Sequence, residues 1–365
     1  MRILFTGGGT GGHIYPALAM AEILKERYPL AEIQFLGGTG GIEEALVSHA
    51  GYPIHTIPVE GLKRKLTIEN LRVIYRLGIS LFASRKYLRD YRPDIVIGTG
   101  GYVCYPVVRM AAALGIPTAL HESNATPGLA VKLLARHVNR IWLGMEDAQD
   151  YLRHKDKICV MGNPLRKNFT QTLYAKANAR QKYGIRQREF FVLSFGGSLG
   201  AKTINDCMYE IICKDTDKDI RYCHICGKKY QGLYDTGKIP KRHRWLAYTE
   251  DMPHLIEAAD LVIARAGAMT LAEISACRKA AILVPSPNVA KNHQYHNAKA
   301  LADKGAAMLQ TEAELSPAGL KEKIDCIKDN PQMAQEMQIA LHHHFSKDTK
   351  AIFLEEIAAL CKKEF

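Results

Sequence analysis

The chain begins with an apolar strand, Arg2-Ile3-Leu4-Phe5-Thr6, that runs directly into Gly7-Gly8-Gly9-Thr10-Gly11-Gly12 and then His13. Few stretches restrict a fold so tightly. Glycine tolerates positive φ and lets a ligand approach the backbone, and a helix expected from Ile14 onward offers free N–H groups and a partial positive charge. A strand, a glycine turn and a helix in that order open a parallel α/β sheet, and the turn suits phosphate or another anion.

Gly7, Gly9 and Gly12 satisfy the dinucleotide spacing G-x-G-x-x-G. That reading also needs an acid at the end of the second strand to hold a ribose. Here the strand Glu32-Ile33-Gln34-Phe35-Leu36 ends in Gly37-Gly38-Thr39, and Glu32 sits at its other end. A titratable imidazole, His13, closes the first loop. A base beside an anion site points to group transfer more than to cofactor storage; the plainer alternative is that His13 caps the helix start.

Short apolar runs at 33–36, 54–57, 94–98, 117–121 and 140–143 are separated by helix-length stretches, which is the rhythm of a doubly wound sheet. Ligands of such sheets lie beyond the carboxyl ends of the strands. Three of those ends carry polar or glycine-rich groups: residues 7–13, the turn Thr99-Gly100-Gly101-Tyr102, and His121-Glu122-Ser123-Asn124. After Gly162-Asn163-Pro164-Leu165-Arg166, which reads as a linker, the pattern restarts. Phe190-Phe191-Val192-Leu193-Ser194-Phe195 ends at once in Gly196-Gly197-Ser198-Leu199-Gly200-Ala201. Leu261-Val262-Ile263 leads into Arg265-Ala266-Gly267-Ala268-Met269-Thr270, a small-residue helix start suited to a diphosphate. Glu273 stands one turn on, where a carboxylate either accepts ribose hydroxyls or simply complements the helix dipole. Amides and imidazoles bunch at 290–298, and such neutral groups bind sugar hydroxyls without burying charge. Two α/β units, each opening on an anion-type turn, imply two ligands facing one another across a cleft.

With 365 residues there is room for two cores. No apolar run approaches the roughly 20 residues that span a bilayer, and Met1-Arg2 leads straight into a strand, so a cytosolic protein is expected. Nine cysteines then stay reduced, and Cys223-His224-Ile225-Cys226 has no second pair with which to hold zinc. His342-His343-His344, consecutive on a helix, point in different directions and make no single site.

The net charge of +12 favours an anionic partner. Lys63, Arg64, Lys65, Arg72, Arg76, Arg85, Lys86, Arg89 and Arg92 crowd one segment, with no nucleic-acid motif beside them. The helix expected over 68–89 is apolar on two sides, with Leu71, Ile74, Tyr75, Leu81 and Phe82 in one stripe and Val73, Leu77, Ser84 and Leu88 in another. One stripe covers the sheet. The other suits either an anionic bilayer surface or burial on both sides within the domain.

Taken in order, Gly8-Gly9-Thr10-Gly11-Gly12-His13, Gly98-Thr99-Gly100-Gly101-Tyr102, His121-Glu122-Ser123-Asn124, Gly162-Asn163-Pro164, Gly196-Gly197-Ser198, Arg265-Ala266-Gly267-Ala268 with Glu273, and Asn292-His293-Gln294 with Asn297 make the chain resemble the MurG family. These are bacterial UDP-N-acetylglucosamine transferases that complete the disaccharide of the lipid-linked peptidoglycan precursor. The resemblance spans nearly the full length. It implies an α/β glycosyltransferase B-type fold of two Rossmann-like domains across a cleft. Residues 1–163 would bind the acceptor, with a returning helix at about 345–365, and 164–344 would bind the UDP-sugar.

The implied reaction moves N-acetylglucosamine from UDP-N-acetylglucosamine to the 4-hydroxyl of undecaprenyl-diphosphate-linked N-acetylmuramoyl pentapeptide, with inversion. Thr10, Gly11, Gly12, Asn124, Arg166, Ser198, Thr249, Ala268, Met269, Thr270, Leu271, Ala272, Glu273 and Gln294 would contact the donor, and Gly100, Gly101 and Tyr102 also line the substrate site. His13, or second to it Glu122, would take the acceptor proton. Helix N-termini would stabilise departing UDP with no metal or other cofactor. The resemblance also implies a peripheral protein at the cytoplasmic membrane face, docked through the basic apolar helix, with no nucleic-acid partner.

Three departures affect the loops. Leu199 and Ser123 stand where the family usually has Gln, and the Tyr102 loop continues Val103-Cys104-Tyr105-Pro106 where Ser-Gly-Pro is usual. Rival readings are a UDP-N-acetylglucosamine 2-epimerase, a transferase acting on another lipid, and a non-enzymatic nucleotide-binding module, against which the pair His13 and Glu122 argues.

Overall fold

The computed structural model describes residues 1–60, 69–170, 176–197, 200–345 and 347–361. The chain divides into two compact units, Met1–Lys167 with Lys347–Phe365, and Asn168–Ser346.

Among the described residues unit 1 carries seven strands: β1 (Arg2–Thr6), β2 (Glu32–Gly38), β3 (Ile54–Ile57), β4 (Ile95–Gly98), β5 (Thr118–Glu122), β6 (Arg140–Leu143) and β7 (Ile158–Val160). They lie in the order β3-β2-β1-β4-β5-β6-β7, every pair parallel. Thr6 sits opposite both Leu36 and Gly98, and Gly98 opposite Leu120, so the loops after β1, β2, β4 and β5 leave from one edge. That edge is where a doubly wound sheet binds its ligands.

The strands are apolar throughout because both faces are covered. With a side-chain period of two, Leu4, Val96, Leu120 and Ile141 point into one core, and Ile3, Phe5, Ile97 and Trp142 into the other. The first core is closed by α3 (Glu69–Tyr91), α4 (Cys104–Ala113) and α5 (Leu129–Leu134), through Leu88, Val107 and Val131. The second is closed by α1 (Gly11–Arg27) and α2 (Ile42–His49), and by the helix Thr349–Cys361. Phe353 of that last helix meets Trp142 edge-on, with ring centroids 5.4 Å apart, and Glu356 accepts the indole N–H at 2.9 Å.

Unit 2 repeats the plan with β8 (Phe190–Phe195), β9 (Ile220–Ile225), β10 (Arg244–Leu246), β11 (Leu261–Ala264), β12 (Ala280–Leu283) and β13 (Met308–Leu309). Their order is β10-β9-β8-β11-β12-β13, again all parallel. The fold is therefore α/β, built of two Rossmann-like units.

Two expectations need correction. Helix α1 starts at Gly11 and not at Ile14, since the first turn makes no i−4 bonds and glycine costs little there; His13 becomes the third helical residue. The two stripes of α3 keep Tyr75 and Phe82 on one side and Val73, Ser84 and Leu88 on the other, and change in part of their membership. Val73, Ser80, Ser84 and Leu88 are buried on the domain side, whereas Tyr75 (71% exposed), Ile79 (39%) and Phe82 (73%) lie at i, i+4 and i+7 on the outer side. Leu81 is half-buried and Ile79 takes its place. Residues 61–68, and the side chains of Leu71, Arg72 and Ile74, lie outside what is described. Among the described residues no helix is long and apolar enough to cross a membrane.

Candidate active site

The first loop of unit 1 is held against the turn after β4 by its backbone. Gly8 N donates to Gly100 O at 3.3 Å, and Thr99 N to Thr6 O at 2.9 Å. Side chains would not fit between them: a Cβ on Gly101 would lie 2.3 Å from Gly8 O, and one on Gly7 2.1 Å from the Thr99 hydroxyl. Gly101, at φ +82°, is also in the left-handed region that glycine favours. Tyr102 lies across Gly9. Burial raises its phenol pKa, and the nearby Glu43 carboxylate adds to the rise.

His13 is half-buried against this junction, its ring facing Gly100. Its Nδ1 is 2.9 Å from Gly8 O and 3.3 Å from the Thr10 hydroxyl. A carbonyl only accepts, so Nδ1 carries the proton and Nε2 of the neutral ring is left as a lone-pair acceptor. That is the tautomer a general base needs.

Glu122, the last residue of β5, is differently placed. Oε1 accepts from Asn124 N at 3.0 Å and Asn124 Nδ2 at 2.9 Å, and Oε2 accepts from Gly128 N at 2.8 Å. Both oxygens are occupied in shaping the loop 123–128, so Glu122 fits a positioning role better than that of a second base. Asn124 is drawn into the same knot. Asn163, read as part of a linker, reaches across to donate to Ser123 O at 3.0 Å. Buried His121 sits beside Ser123, its imidazole pushed down to about 4 by burial. Thr10 and Gly12 are exposed, Gly11 is partly so, and Arg166 stacks on Tyr15 of α1 at 5.1 Å.

In unit 2 the helix Ala268–Ala276 follows β11, and its N-cap Gly267 makes no side-chain cap; the first turn holds no acid. The N–H groups of Ala268, Met269 and Thr270 have no i−4 carbonyl within the helix, which is an anion site by construction. Leu271 and Ala272 do not share that property. Leu271 N already donates to Gly267 O at 3.0 Å, and both side chains are buried in the unit. Glu273 lies one turn on and is partly exposed.

Two amides that read alike in sequence separate here. Buried Asn297 donates to Ala266 O at 3.0 Å and so fixes the loop ahead of that helix, while Gln294 accepts from Ser286 N at 2.9 Å and keeps its NH₂ group for other partners. Thr249 accepts from Asp251 N at 3.0 Å and stays partly exposed. Arg265 ties the ends of two strands to Glu312, donating to Val284 O at 3.1 Å and to the Glu312 carboxylate at 2.8 Å. Ser198 and Leu199 lie outside the described residues, although Gly197 (φ +83°) and Gly200 (φ +72°) bracket them.

Sequence reasoning missed Glu43. It stands in the first turn of α2, is 1% exposed, and accepts from Gly9 N at 3.1 Å and Gly38 N at 2.9 Å. The acid absent from the end of β2 is thus supplied five residues later, and it binds backbone instead of a ribose. An acid in a helix's first turn just after a glycine pair was the available signal.

Two parallel sheets whose carboxyl ends carry glycine loops, bare helix N-termini and a tautomer-fixed imidazole define a two-domain group-transfer enzyme of the nucleotide-sugar type. Residues 3–143 match the glycosyltransferase family 28 N-terminal domain and residues 191–352 its C-terminal domain. A UDP-N-acetylglucosamine--N-acetylmuramyl-(pentapeptide) pyrophosphoryl-undecaprenol N-acetylglucosamine transferase of Alkaliphilus oremlandii is 41% identical over 368 residues, covering 100% of both chains. The enzyme of the same description from Thermoanaerobacter sp. (strain X514) is 41% identical over 344 residues, covering 93% of this chain and 94% of its own. The crystal structure of Acinetobacter baumannii MurG superposes with a TM-score of 0.78 at 26% identity, covering 98% of this chain and 99% of that one. The chain belongs to glycosyltransferase family 28, and within it to the MurG family of N-acetylglucosamine transferases.

Proposed function

We propose that this chain transfers N-acetylglucosamine from UDP-N-acetylglucosamine to the 4-hydroxyl of undecaprenyl-diphosphate-linked N-acetylmuramoyl pentapeptide, with His13 as general base. The observation that carries the chemistry is the commitment of His13 Nδ1–H to Gly8 O, which leaves Nε2 as the acceptor. Nε2 takes the hydroxyl proton as the acceptor oxygen attacks C1 of the donor sugar. The C1–O bond to UDP breaks with its electron pair leaving on the diphosphate, and a single displacement inverts the anomeric centre. The N–H groups at Ala268–Thr270 meet the charge that builds on UDP, Glu273 accepts ribose hydroxyls, and the amide of Gln294 donates to the sugar. Thr10, Gly11, Gly12, Asn124, Arg166, Ser198 and Thr249 complete the donor contacts, with Gly100, Gly101 and Tyr102 on the acceptor side. In this reading unit 2 holds the nucleotide and unit 1 the acceptor, and the donor contacts at Thr10, Gly11, Gly12, Asn124 and Arg166 come from unit 1.

The proposal extends to a working position at the cytoplasmic membrane face. Tyr75, Ile79 and Phe82 form an exposed apolar stripe, with exposed Arg85, Lys86 and Arg89 on the turns that follow. Apolar side chains entering the interface beside cations that meet anionic headgroups are the two components of a reversible membrane anchor.

The decisive assay is radiolabelled sugar transfer to a short-chain lipid-linked muramoyl pentapeptide, with EDTA present and with acceptor omitted. Acceptor-dependent product that survives EDTA is expected. Conversion of the donor sugar without acceptor would replace this reading with an epimerase. His13→Ala should cost about 10²- to 10⁴-fold in turnover while UDP binding persists.

A further inference from the structure

We propose that Glu43 is a positioning residue that acts on His13 through the single peptide group joining Gly8 to Gly9. This rests on the reading of His13 as the base. The two bonds involved belong to one planar unit: Gly9 N–H donates to Glu43 Oε2 at 3.1 Å, and Gly8 C=O accepts from His13 Nδ1 at 2.9 Å. In a trans peptide the N–H and C=O point in opposite directions, so a carboxylate that fixes one end of the group aims the other. A charged acceptor on the N–H also polarises the carbonyl, making it a better acceptor for the imidazole N–H. Hydrolases orient a catalytic imidazole with a carboxylate in direct contact; here a peptide group is interposed.

The surroundings are built for this carboxylate. A Cβ on Gly8 would lie 2.2 Å from Glu43 Oε1, one on Gly41 2.4 Å from it, and one on Gly37 2.7 Å from Glu43 Cγ. Three glycines therefore clear the space it fills. Its second oxygen takes Gly38 N–H at 2.9 Å, which ties the loops after β1 and β2 together and fixes the carboxylate plane. Burying a carboxylate is costly, and a residue serving only to fill volume under a glycine loop would be apolar. The other ionisable groups around the turn are Tyr102 over Gly9, Tyr15 beside Gly11 with Arg166 stacked on it, and Glu122 at the end of β5; none of them bonds the 8–9 peptide in the contacts described.

The test reads the His13 tautomer directly, by long-range ¹H–¹⁵N NMR on the ¹⁵N-histidine full-length protein, its signal assigned by loss in His13→Asn. In the native protein the neutral ring should carry its proton on Nδ1; a proton on Nε2 would overturn the proposal without any variant of Glu43. In Glu43→Gln one of the two N–H groups loses its acceptor, and His13 should shift toward the Nε2–H form that free imidazole prefers. kcat should fall roughly 10- to 100-fold, the range seen when the outer hydrogen-bond partners of metal-ligating histidines are removed, with the donor KM little changed. A variant that loses activity while the His13 tautomer stays as in the native protein would reduce Glu43 to a structural prop and overturn the relay. The tautomer is read without turnover, so an active His13→Ala enzyme would refute the base assignment, while a tautomer shift in Glu43→Gln would still establish the coupling.

Discussion

Gly100→Ala offers the sharpest test of where the His13 ring lies. Gly100 has φ +105°, and a Cβ there would stand 2.7 Å from His13 Cδ2 and 3.1 Å from Nε2. Two costs follow. Left-handed backbone at a residue with a side chain costs about 1–2 kcal/mol. The imidazole must also move away, and a displacement of about 1 Å at a reacting group can cost roughly 10²-fold in rate. Gly115 separates the two, because it has φ +73° and a methyl group added there would find nothing within 4 Å. Gly115→Ala should therefore carry the backbone strain alone. Both variants should lose about 1–2 kcal/mol in urea unfolding, and only Gly100→Ala should lose about 10²-fold in sugar transfer to a short-chain acceptor. Equal activities would refute the placement of the ring in the reaction path.

Two further outcomes are expected. Phe82→Ser and Tyr75→Ser each remove an exposed ring, and since burying such a side chain contributes about 1.5–3 kcal/mol, binding to phosphatidylglycerol vesicles should weaken roughly 10- to 100-fold with soluble-acceptor turnover unchanged; undiminished vesicle binding would remove α3 from the anchor. Stability should fall on acidification before the carboxylates titrate. Burial holds His121 down to about 4 and His224 down to about 3, whereas the unfolded chain takes up these protons near 6.5, so stability is full above pH 6.5 and declines as pH falls toward those values. Between pH 7 and 5 each buried imidazole should cost about 2 kcal/mol, one in each unit, and calorimetry showing a flat Tm across that range would contradict their neutral burial.

What is legible in the sequence is whatever local pattern encodes. Apolar runs ending in glycine mark β1, β4 and β8, and an apolar run leading into Arg265-Ala266-Gly267 marks β11, because a strand buried on both faces must be apolar and a ligand-binding turn needs glycine. The short edge strands β7, β10 and β13 leave no such mark, since Ile158–Val160 is only half-buried and two or three residues make no pattern. The outer stripe of α3 is half legible: Tyr75 and Phe82 stand out, but Ile79 cannot be separated from its neighbours until the buried side is known. Functions set by long-range hydrogen bonds are faint in the sequence or invisible. Glu43, which reaches back 34 residues to Gly9, leaves only its place in a helix's first turn after a glycine pair, and nothing local distinguishes Asn163, which reaches 40 to Ser123, from an ordinary polar position. Glu122 shows the converse, since its residue type invites a catalytic role that three N–H donors have already claimed.

The helix Thr349–Cys361 has a consequence for how the protein is made. Trp142, Phe5 and Ile97 face a core that Phe353 and Ile357 complete, yet those two residues leave the ribosome only after all of unit 2 has been synthesised. At about 5–20 residues per second, the roughly 200 residues after Lys167 take about 10–40 s. Through that interval the nascent first unit presents an open apolar face beside an indole N–H that lacks Glu356. Unit 2, whose stretch of chain is continuous, can close its own core first. The N-terminal unit would thus be the last to mature, and a chaperone acting on the nascent chain would find its binding surface there.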